Sequence, residues 1–388
     1  MTDLKQRGRL NGVIVAGCLA ERERQSLLEA YPAIDQLLGV FARDEIAAAA
    51  GRLTRGLKEG RTDRQAVFPT APCRPLADGN RLRLTPRHLA FLKIAEGCNR
   101  LCSFCTIPRL RGRYASKPIE QVVAEAEELA ADGARELILV AQDSSSYGQD
   151  LYGRPRLAGL LRRLVEVEPL RWIRLMYLYP TQVSDELIEV VSSAGKVLPY
   201  LDLPLQHIND DVLRRMRRGI GRVQTERLID RLRERIDGLV LRTTLIAGFP
   251  GETEQQFDEL FEFVRRRRFE RLGVLAYSAE EGTPAKDLDG HRSEEVKQRR
   301  RERLLGCQQE IAFAWNSAQV GRSMDVLIDR DIAGEENAYV GRSYADAPEV
   351  DGAVYVTGDS LVPGRIVPCE IVAVRGYDLI AVPTAAPC

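Results

Sequence analysis

The sequence predicts an α/β protein in three parts. These are a short α/β piece at the N-terminus (residues 1–80), a parallel sheet of six βα units curled into part of a barrel (84–314), and a small C-terminal β-barrel (317–384). Two observations carry this. From about residue 84 short apolar runs alternate with helical periods, and after residue 320 the helical periods stop and Gly and Asp punctuate short β-prone runs.

In chain order, Val13–Ala16 reads as a strand, Ala20–Ala30 as a helix and Ile46–Lys58 as more helix. Residues 60–86 carry Pro69, Pro72, Pro75, Asp78-Gly79 and Pro86, which is linker composition. The six expected strands are Leu89–Ile94, Leu137–Val140, Trp172–Leu178, Tyr200–Leu203, Leu239–Ile246 and Leu272–Ala276. Helices are expected near Ile119–Ala131, Arg156–Val165, Ser184–Ser192, Asp210–Arg217, Thr225–Arg235 and Glu254–Arg267. Thr253-x-x-Gln256 forms a capping box for the last of these. On such sheets functional sites collect at the C-terminal ends of the strands. A charged helix over Ser293–Ala318 then leads to five strands near Met324–Asp329, Ala338–Ser343, Ala353–Val356, Ile366–Arg375 and Leu379–Val382.

Composition narrows the function classes. Lys+Arg and Asp+Glu are both 56, so the chain does not hold nucleic acid by overall basicity. No apolar run reaches the roughly 18–20 residues of a membrane helix. Lys5, Arg7 and Arg9 ahead of Gly12–Cys18 resemble a lipoprotein signal, but Val13–Ala16 is far shorter than the roughly 7–15 apolar residues one needs. Eight cysteines in 388 residues are too sparse for a disulfide scaffold. Cys98, Cys102 and Cys105 crowd into one loop, which points to metal chemistry in a reducing, cytoplasmic compartment.

That loop, Gly97-Cys98-Asn-Arg-Leu-Cys102-Ser-Phe104-Cys105, is CxxxCxxC directly after a strand. Iron–sulfur clusters are normally held by four thiolates. Three leave one iron open to bind a small molecule and pass it an electron. A closed zinc site would want a fourth protein ligand from elsewhere in the chain.

CxxxCxxC after the first strand of a six-unit partial barrel resembles the radical S-adenosylmethionine (SAM) superfamily. Phe91-Leu-Lys-Ile-Ala-Glu-Gly-Cys98-Asn, Pro108-x-x-Arg111-Gly112 and Leu245-Ile-Ala-Gly248-Phe-Pro-Gly251-Glu252-Thr253 resemble its methylthiotransferases, and the final barrel resembles a TRAM domain. Ala141-Gln142-Asp143-Ser-Ser-Ser-Tyr147-Gly148, Tyr179-Pro180, Leu203-Pro204-Leu205-Gln206-His207 and Ala347-Pro-Glu-Val-Asp351-Gly352 are similar to the branch that modifies an aspartate of small-subunit ribosomal protein twelve, rather than the tRNA-modifying branch. The resemblance implies a 4Fe-4S cluster on Cys98, Cys102 and Cys105 that binds and cleaves SAM. A 5′-deoxyadenosyl radical then takes hydrogen from the aspartate β-carbon, and a second SAM supplies the methyl group. It places Phe104 over the adenine, Gln142 and Asp143 at the SAM amino group and Gly248 against the adenosine. Against these stand plainer roles: Phe104 as core, Gly248 and Gly251 as turn glycines, His207 as a structural histidine. It also implies a reductant such as flavodoxin.

Residues 319–388 hold eleven acidic residues against five arginines and no lysine, a net −6, so residues 1–318 carry +6. A barrel of that charge would repel a phosphate backbone and attract a basic protein. The run Arg265–Arg268 reads mainly as solvated surface, with RNA contact a minor role.

In one respect the chain departs from the family. The resemblance implies a second, auxiliary 4Fe-4S cluster that donates sulfur, and Val15-Ala-Gly17-Cys18-Leu19-Ala20 matches only its third cysteine. Residues 1–72 contain no other cysteine, so the auxiliary site is expected to be incomplete and the start of the chain misplaced or fragmentary, with a sheet edge exposed. Two alternatives stand beside the main reading: a tRNA adenosine methylthiotransferase, and a catalytically incomplete ribosome-binding remnant. Cys73, Cys307, Cys369 and Cys388 are expected to be unligated.

Overall fold

A computed structural model describes residues 1–60, 64–71, 75 and 77–384. The chain divides into two units. The first comprises residues 1–76, 96–100 and 106–115, and the second comprises 77–95, 101–105 and 116–388.

In the first unit three short parallel strands form one sheet in chain order: β1 (Ile14–Ala16), β2 (Gln36–Leu38) and β3 (Gln65–Val67). Val13, Ala20, Leu27, Leu28, Ile34 and Leu37 make its core, and Lys5 reaches Asp35 at 2.6 Å. The helix expected over Ala20–Ala30 is two helices, Cys18–Glu23 and Gln25–Ala30, because Arg24 adopts φ +45° between them. The second and third strands have no counterpart in the sequence reading. Three residues are too few to show a period of two, and Gln65–Val67 lies inside what reads as linker.

The second unit carries six parallel strands laid side by side in chain order. They are β4 (Leu89–Lys93), β5 (Glu136–Val140), β6 (Trp172–Leu175), β7 (Val197–Asp202), β8 (Val240–Ala247) and β9 (Arg271–Ala276). The helices between them include Ile119–Ala131, Leu157–Leu164, Asp185–Ser193, Asp210–Arg215, Arg222–Arg235 and Glu254–Arg267. The capping box at Thr253 is present, its hydroxyl accepting from Gln256 N at 3.2 Å. β6 ends at Leu175, three residues short of its expected end, because Tyr177 turns the chain at φ +60°.

The helix Glu294–Ser317 leads into a closed five-stranded barrel of β10 (Ser323–Asp331), β11 (Ala338–Arg342), β12 (Val354–Thr357), β13 (Ile366–Arg375) and β14 (Asp378–Pro383). Met324, Val326, Ile328, Val354, Val356, Cys369, Ile371, Leu379 and Ala381 fill it. The barrel packs on the N-terminal half of the sheet: Leu327, Ala345 and Ala347 share one core with Leu89, Ile138, Trp172, Tyr200 and Val240.

Charges cross this seam. Glu136, which opens β5, bonds Arg174 Nε at 2.7 Å and Arg342 Nη1 at 2.6 Å, and all three side chains are nearly fully buried. Arg342 continues to Asp329 at 2.7 Å, and Asp329 to His88 at 2.9 Å. Arg271 meets Asp346 at 2.7 Å, and the Tyr200 hydroxyl donates to Asp351 at 2.6 Å. Asp329, Asp346 and Asp351 are therefore engaged inward. Part of the barrel's acidic excess thus serves the seam and not the surface. In the run Arg265–Arg268, Arg265 and Arg266 are exposed and sit on Glu262 and Glu226, while the more buried Arg267 meets Asp230.

Candidate functional site

In the first unit the backbone of Cys98 donates to Gly112 O at 3.3 Å, and Arg100 N donates to Cys98 Sγ at 3.4 Å. Gly97 sits at φ +78°, where a Cβ would lie 2.3 Å from Arg113 O. Only glycine admits this close approach at that φ. Cys18 opens the helix Cys18–Glu23, and its Sγ accepts from Arg111 Nη2 at 3.2 Å. Arg111 also donates to Glu96 at 3.2 Å, so one guanidinium links a cysteine to a carboxylate.

In the second unit the segment bearing Cys102 and Cys105 is clamped from two sides. Ser103 N and Oγ donate to Met216 O at 3.0 Å and Arg215 O at 2.7 Å, capping carbonyls that the short helix Asp210–Arg215 leaves unpaired. Ser103 O accepts from Ala285 N at 2.8 Å. Cys102 Sγ accepts from the buried Arg218 Nη1 at 3.5 Å. Phe104 packs edge-on against Phe249 at 6.4 Å, within a cluster with Val212, Met216, Ile246 and Tyr277.

The C-terminal strand ends hold unused polar atoms. Among the described residues, Gln142 Oε1 after β5, Gln206 Oε1 after β7 and Tyr277 Oη after β9 are buried without a hydrogen-bond partner. Gln206 adopts φ +73°, an uncommon conformation for a non-glycine residue, of the kind that clusters at functional sites. Asp143 differs: its carboxylate accepts from Ser145 Oγ at 2.6 Å, Ser146 Oγ at 2.7 Å and Ser146 N at 3.2 Å, holding its own turn.

Gly248 follows β8 at φ +75°, with Lys297 Cγ only 2.4 Å from where a Cβ would be. Its N–H and that of Phe249 donate to Glu252 Oε2 at 2.8 and 3.1 Å, and Arg300 holds Glu252 Oε1 at 2.9 Å. Nearby, His207 Nδ1 accepts from Asn209 N at 3.0 Å, so the ring proton is on Nε2. Burial, with the Arg300 charge adding, pulls His207 down to about 3. It is neutral, and its Nε2 is buried without a hydrogen-bond partner.

Among the described residues no three His, Cys, Asp or Glu side chains are gathered as for a metal ion. Cys98, Cys102 and Cys105 share a chain segment of eight residues, divided between the two units. Cys369 is in the barrel core, and Cys307 lies half-buried on the helix Glu294–Ser317. Cys73 and Cys388 lie outside the described residues. Sequence reasoning missed Arg218, Gln206 and Tyr277. Only Gln206 had a signal, inside the motif Leu203–His207.

The family model of the Radical SAM superfamily matches residues 92–264, and that of the TRAM domain matches 320–383. A ribosomal protein uS12 methylthiotransferase RimO of Lachnoclostridium phytofermentans is 42% identical over 381 residues, 98% of this chain and 85% of that one. The chain belongs to the RimO methylthiotransferase family. The RimO of Symbiobacterium thermophilum is 44% identical, covering 97% of this chain and 77% of its own. Among solved structures, the radical SAM methyltransferase TsrM of Kitasatospora setae shares the fold, with a TM-score of 0.54 at 21% identity over 74% of this chain and 59% of that one. Membership in the RimO family makes this chain a transferase, with a radical SAM partial barrel followed by a TRAM barrel.

The glycine before the cysteine loop gives a first expected result. Gly97→Ala should destabilise the protein by at least about 1–2 kcal/mol, the usual cost of left-handed backbone for an L-residue. Contact with Arg113 O would add to this. Urea unfolding of the two proteins at pH 7 measures it, and equal midpoints would contradict the close approach.

Proposed function

We propose that this chain adds a methylthio group to the β-carbon of an aspartate in ribosomal protein uS12, with a 4Fe-4S cluster on Cys98, Cys102 and Cys105 and with SAM as co-substrate. The observation that carries this reading is the chemistry collected around the cysteine segment: thiols that receive N–H donors, and orphaned polar atoms at the neighbouring strand ends. By their chemistry these residues suit such a group, with the three thiols on one short segment but not drawn together. Three thiols offer a cluster its anchors, and buried acceptors without a protein partner are positions that water or a ligand completes.

When bound, a cluster with one open iron supplies the electron that cleaves the sulfonium–carbon bond of SAM. The protein's own part is to bind and to exclude water. Gln142 Oε1 and Gln206 Oε1 accept hydrogen bonds from a ligand ammonium or hydroxyl, and Tyr277 Oη donates one. Phe104 and Phe249 give the apolar wall. Gly248 lets the chain pass closely, with its N–H fixed by Glu252. The TRAM barrel seals the N-terminal end of the sheet, which leaves the C-terminal end as the mouth. Cys18, with Arg111 on its sulfur, is the one cysteine of residues 1–72 and would be a ligand of a second, sulfur-donating cluster.

The outward acids of the TRAM barrel suit a basic ribosomal protein, free or on the ribosome. An electron donor such as flavodoxin completes the system, and a cytoplasmic setting suits the thiols.

The test is anaerobic reconstitution followed by reaction with SAM, a reductant and uS12. Expected are about four irons per chain on the Cys98 loop, or about eight if a second cluster forms, with 5′-deoxyadenosine and a methylthio mass shift on one aspartate. Modification of tRNA in place of uS12 would overturn the substrate assignment. Absence of iron would overturn the cluster.

A further inference from the structure

Arg218 is buried, 4% exposed, yet no carboxylate among the described residues pairs with it. Its guanidinium lies over the Tyr179 ring, 4.3 Å from the centroid, and Nη2 donates to Pro204 O. Nη1 donates to Cys102 Sγ at 3.5 Å, and Nε is buried without a partner. The Tyr179 hydroxyl in turn donates to Arg218 O, so backbone and side chain are both held. Arg217 just before it takes φ +56°, which turns the chain off the end of the helix Asp210–Arg215 and carries Arg218 inward.

A guanidinium is always charged, and a buried charge needs a counter-charge or a full set of hydrogen bonds. Here it has an aromatic face, one carbonyl and one sulfur. Of the two ionisable groups that touch it, the Tyr179 phenol and the Cys102 thiol, the thiol is the more readily turned into an anion. Other buried arginines of this unit meet carboxylates directly: Arg174 on Glu136, Arg271 on Asp346, Arg300 on Glu252.

We propose that Arg218 is a positioning residue for the Cys102 ligand: its N–H···S bond and its charge hold the thiolate and raise the reduction potential of the cluster bound there. This rests on the cluster reading above. The physical cause is simple. A reduced cluster carries one more negative charge than the oxidised one, so a fixed cation bonded to a ligand sulfur stabilises the reduced form more. Tyr179 sets the direction of the guanidinium and shields it from water, which keeps its field strong.

The experiment is an EPR-monitored redox titration of reconstituted wild type, Arg218→Lys, Arg218→Met and Tyr179→Phe, with iron counted for each. The reduction equilibrium of Arg218→Met should fall about tenfold, which is about 59 mV for one electron. Arg218→Lys keeps the charge and should recover part of the shift. Tyr179→Phe should move the potential in the same direction by less. Should Arg218→Met fail to fold, the other two variants carry the test. Unchanged potentials in iron-loaded variants would overturn the role of Arg218 and leave the cluster reading standing. A wild type that binds no iron would overturn both.

Discussion

Cys102→Ala is expected to bring SAM cleavage to background and to lower bound iron by about four atoms per chain, the content of one cubane cluster. Among the described residues no other cysteine stands ready to replace it. Cys369 sits in the TRAM barrel with no exposed surface, and burial there, reinforced by Asp325, pushes its thiol up to about 11. Burial also raises Cys307, with Glu310 adding, on the helix Glu294–Ser317. Thiols of that kind stay protonated near neutral pH and make poor ligands. Cys18 is held by Arg111 in the other unit. Cys102 by contrast carries the Arg218 donor on its sulfur, in a segment fixed by the N–H, hydroxyl and carbonyl of Ser103. Cys307→Ser serves as the control and should retain full cleavage. The measurement is chromatographic release of 5′-deoxyadenosine beside an iron assay. Cleavage retained in Cys102→Ala would mean that this thiol is not a ligand of the SAM-cleaving site.

Much of this arrangement could be read from residues alone, for physical reasons that also mark the limit. The six parallel strands and their helices are long enough for periodicity to speak, and Thr253, Gly248 and Asp210 lie where local chemistry ends or begins an element. β2 and β3 have three residues each and no legible period. Arg24 breaks a helix with no glycine or proline to announce it. Arg218 is lost among Arg214, Arg215, Arg217 and Arg222; only the fold selects which of them turns inward. The same holds for the contacts between sheet and barrel. Arg174 meets Tyr344 O across 170 positions, and Arg342 meets Glu136 across 206. Local pattern carries no information at that separation. Counting barrel charges therefore finds the excess but not its direction, and Asp329, Asp346 and Asp351 turn out to serve the fold.

Glu136→Ala is expected to cost about 3–5 kcal/mol, the usual penalty for removing one partner from a buried ion pair. Glu136 stands between Arg174 and Arg342, with all three side chains nearly fully buried, so its loss leaves two guanidiniums facing each other with no anion between them. Burial alone would raise the Glu136 carboxyl, but the Arg174 and Arg342 charges beside it hold it below its ordinary 4.5. Depressed in the fold, it contributes stability above the unfolded value, and that stability is lost as pH falls through the folded one. Wild type should therefore lose stability below about pH 4.5, and Glu136→Gln, already weaker at pH 7, should show a shallower acid limb. Replacing all three residues by apolar ones of similar size should restore only part of the loss, because Asp329 then loses Arg342 and keeps His88 alone. Urea unfolding between pH 3 and 7 separates these cases, and a Glu136→Ala loss below about 1 kcal/mol would contradict the network. Function should divide along the same line. Arg342 belongs to the TRAM barrel and Glu136 to the opposite end of the sheet from the strand ends that carry Gln142 and Gly248. Glu136→Gln should thus loosen the barrel, impair methylthiolation of uS12 and leave SAM cleavage without substrate close to wild type. Equal loss of both activities would show that the barrel is needed for more than holding the substrate.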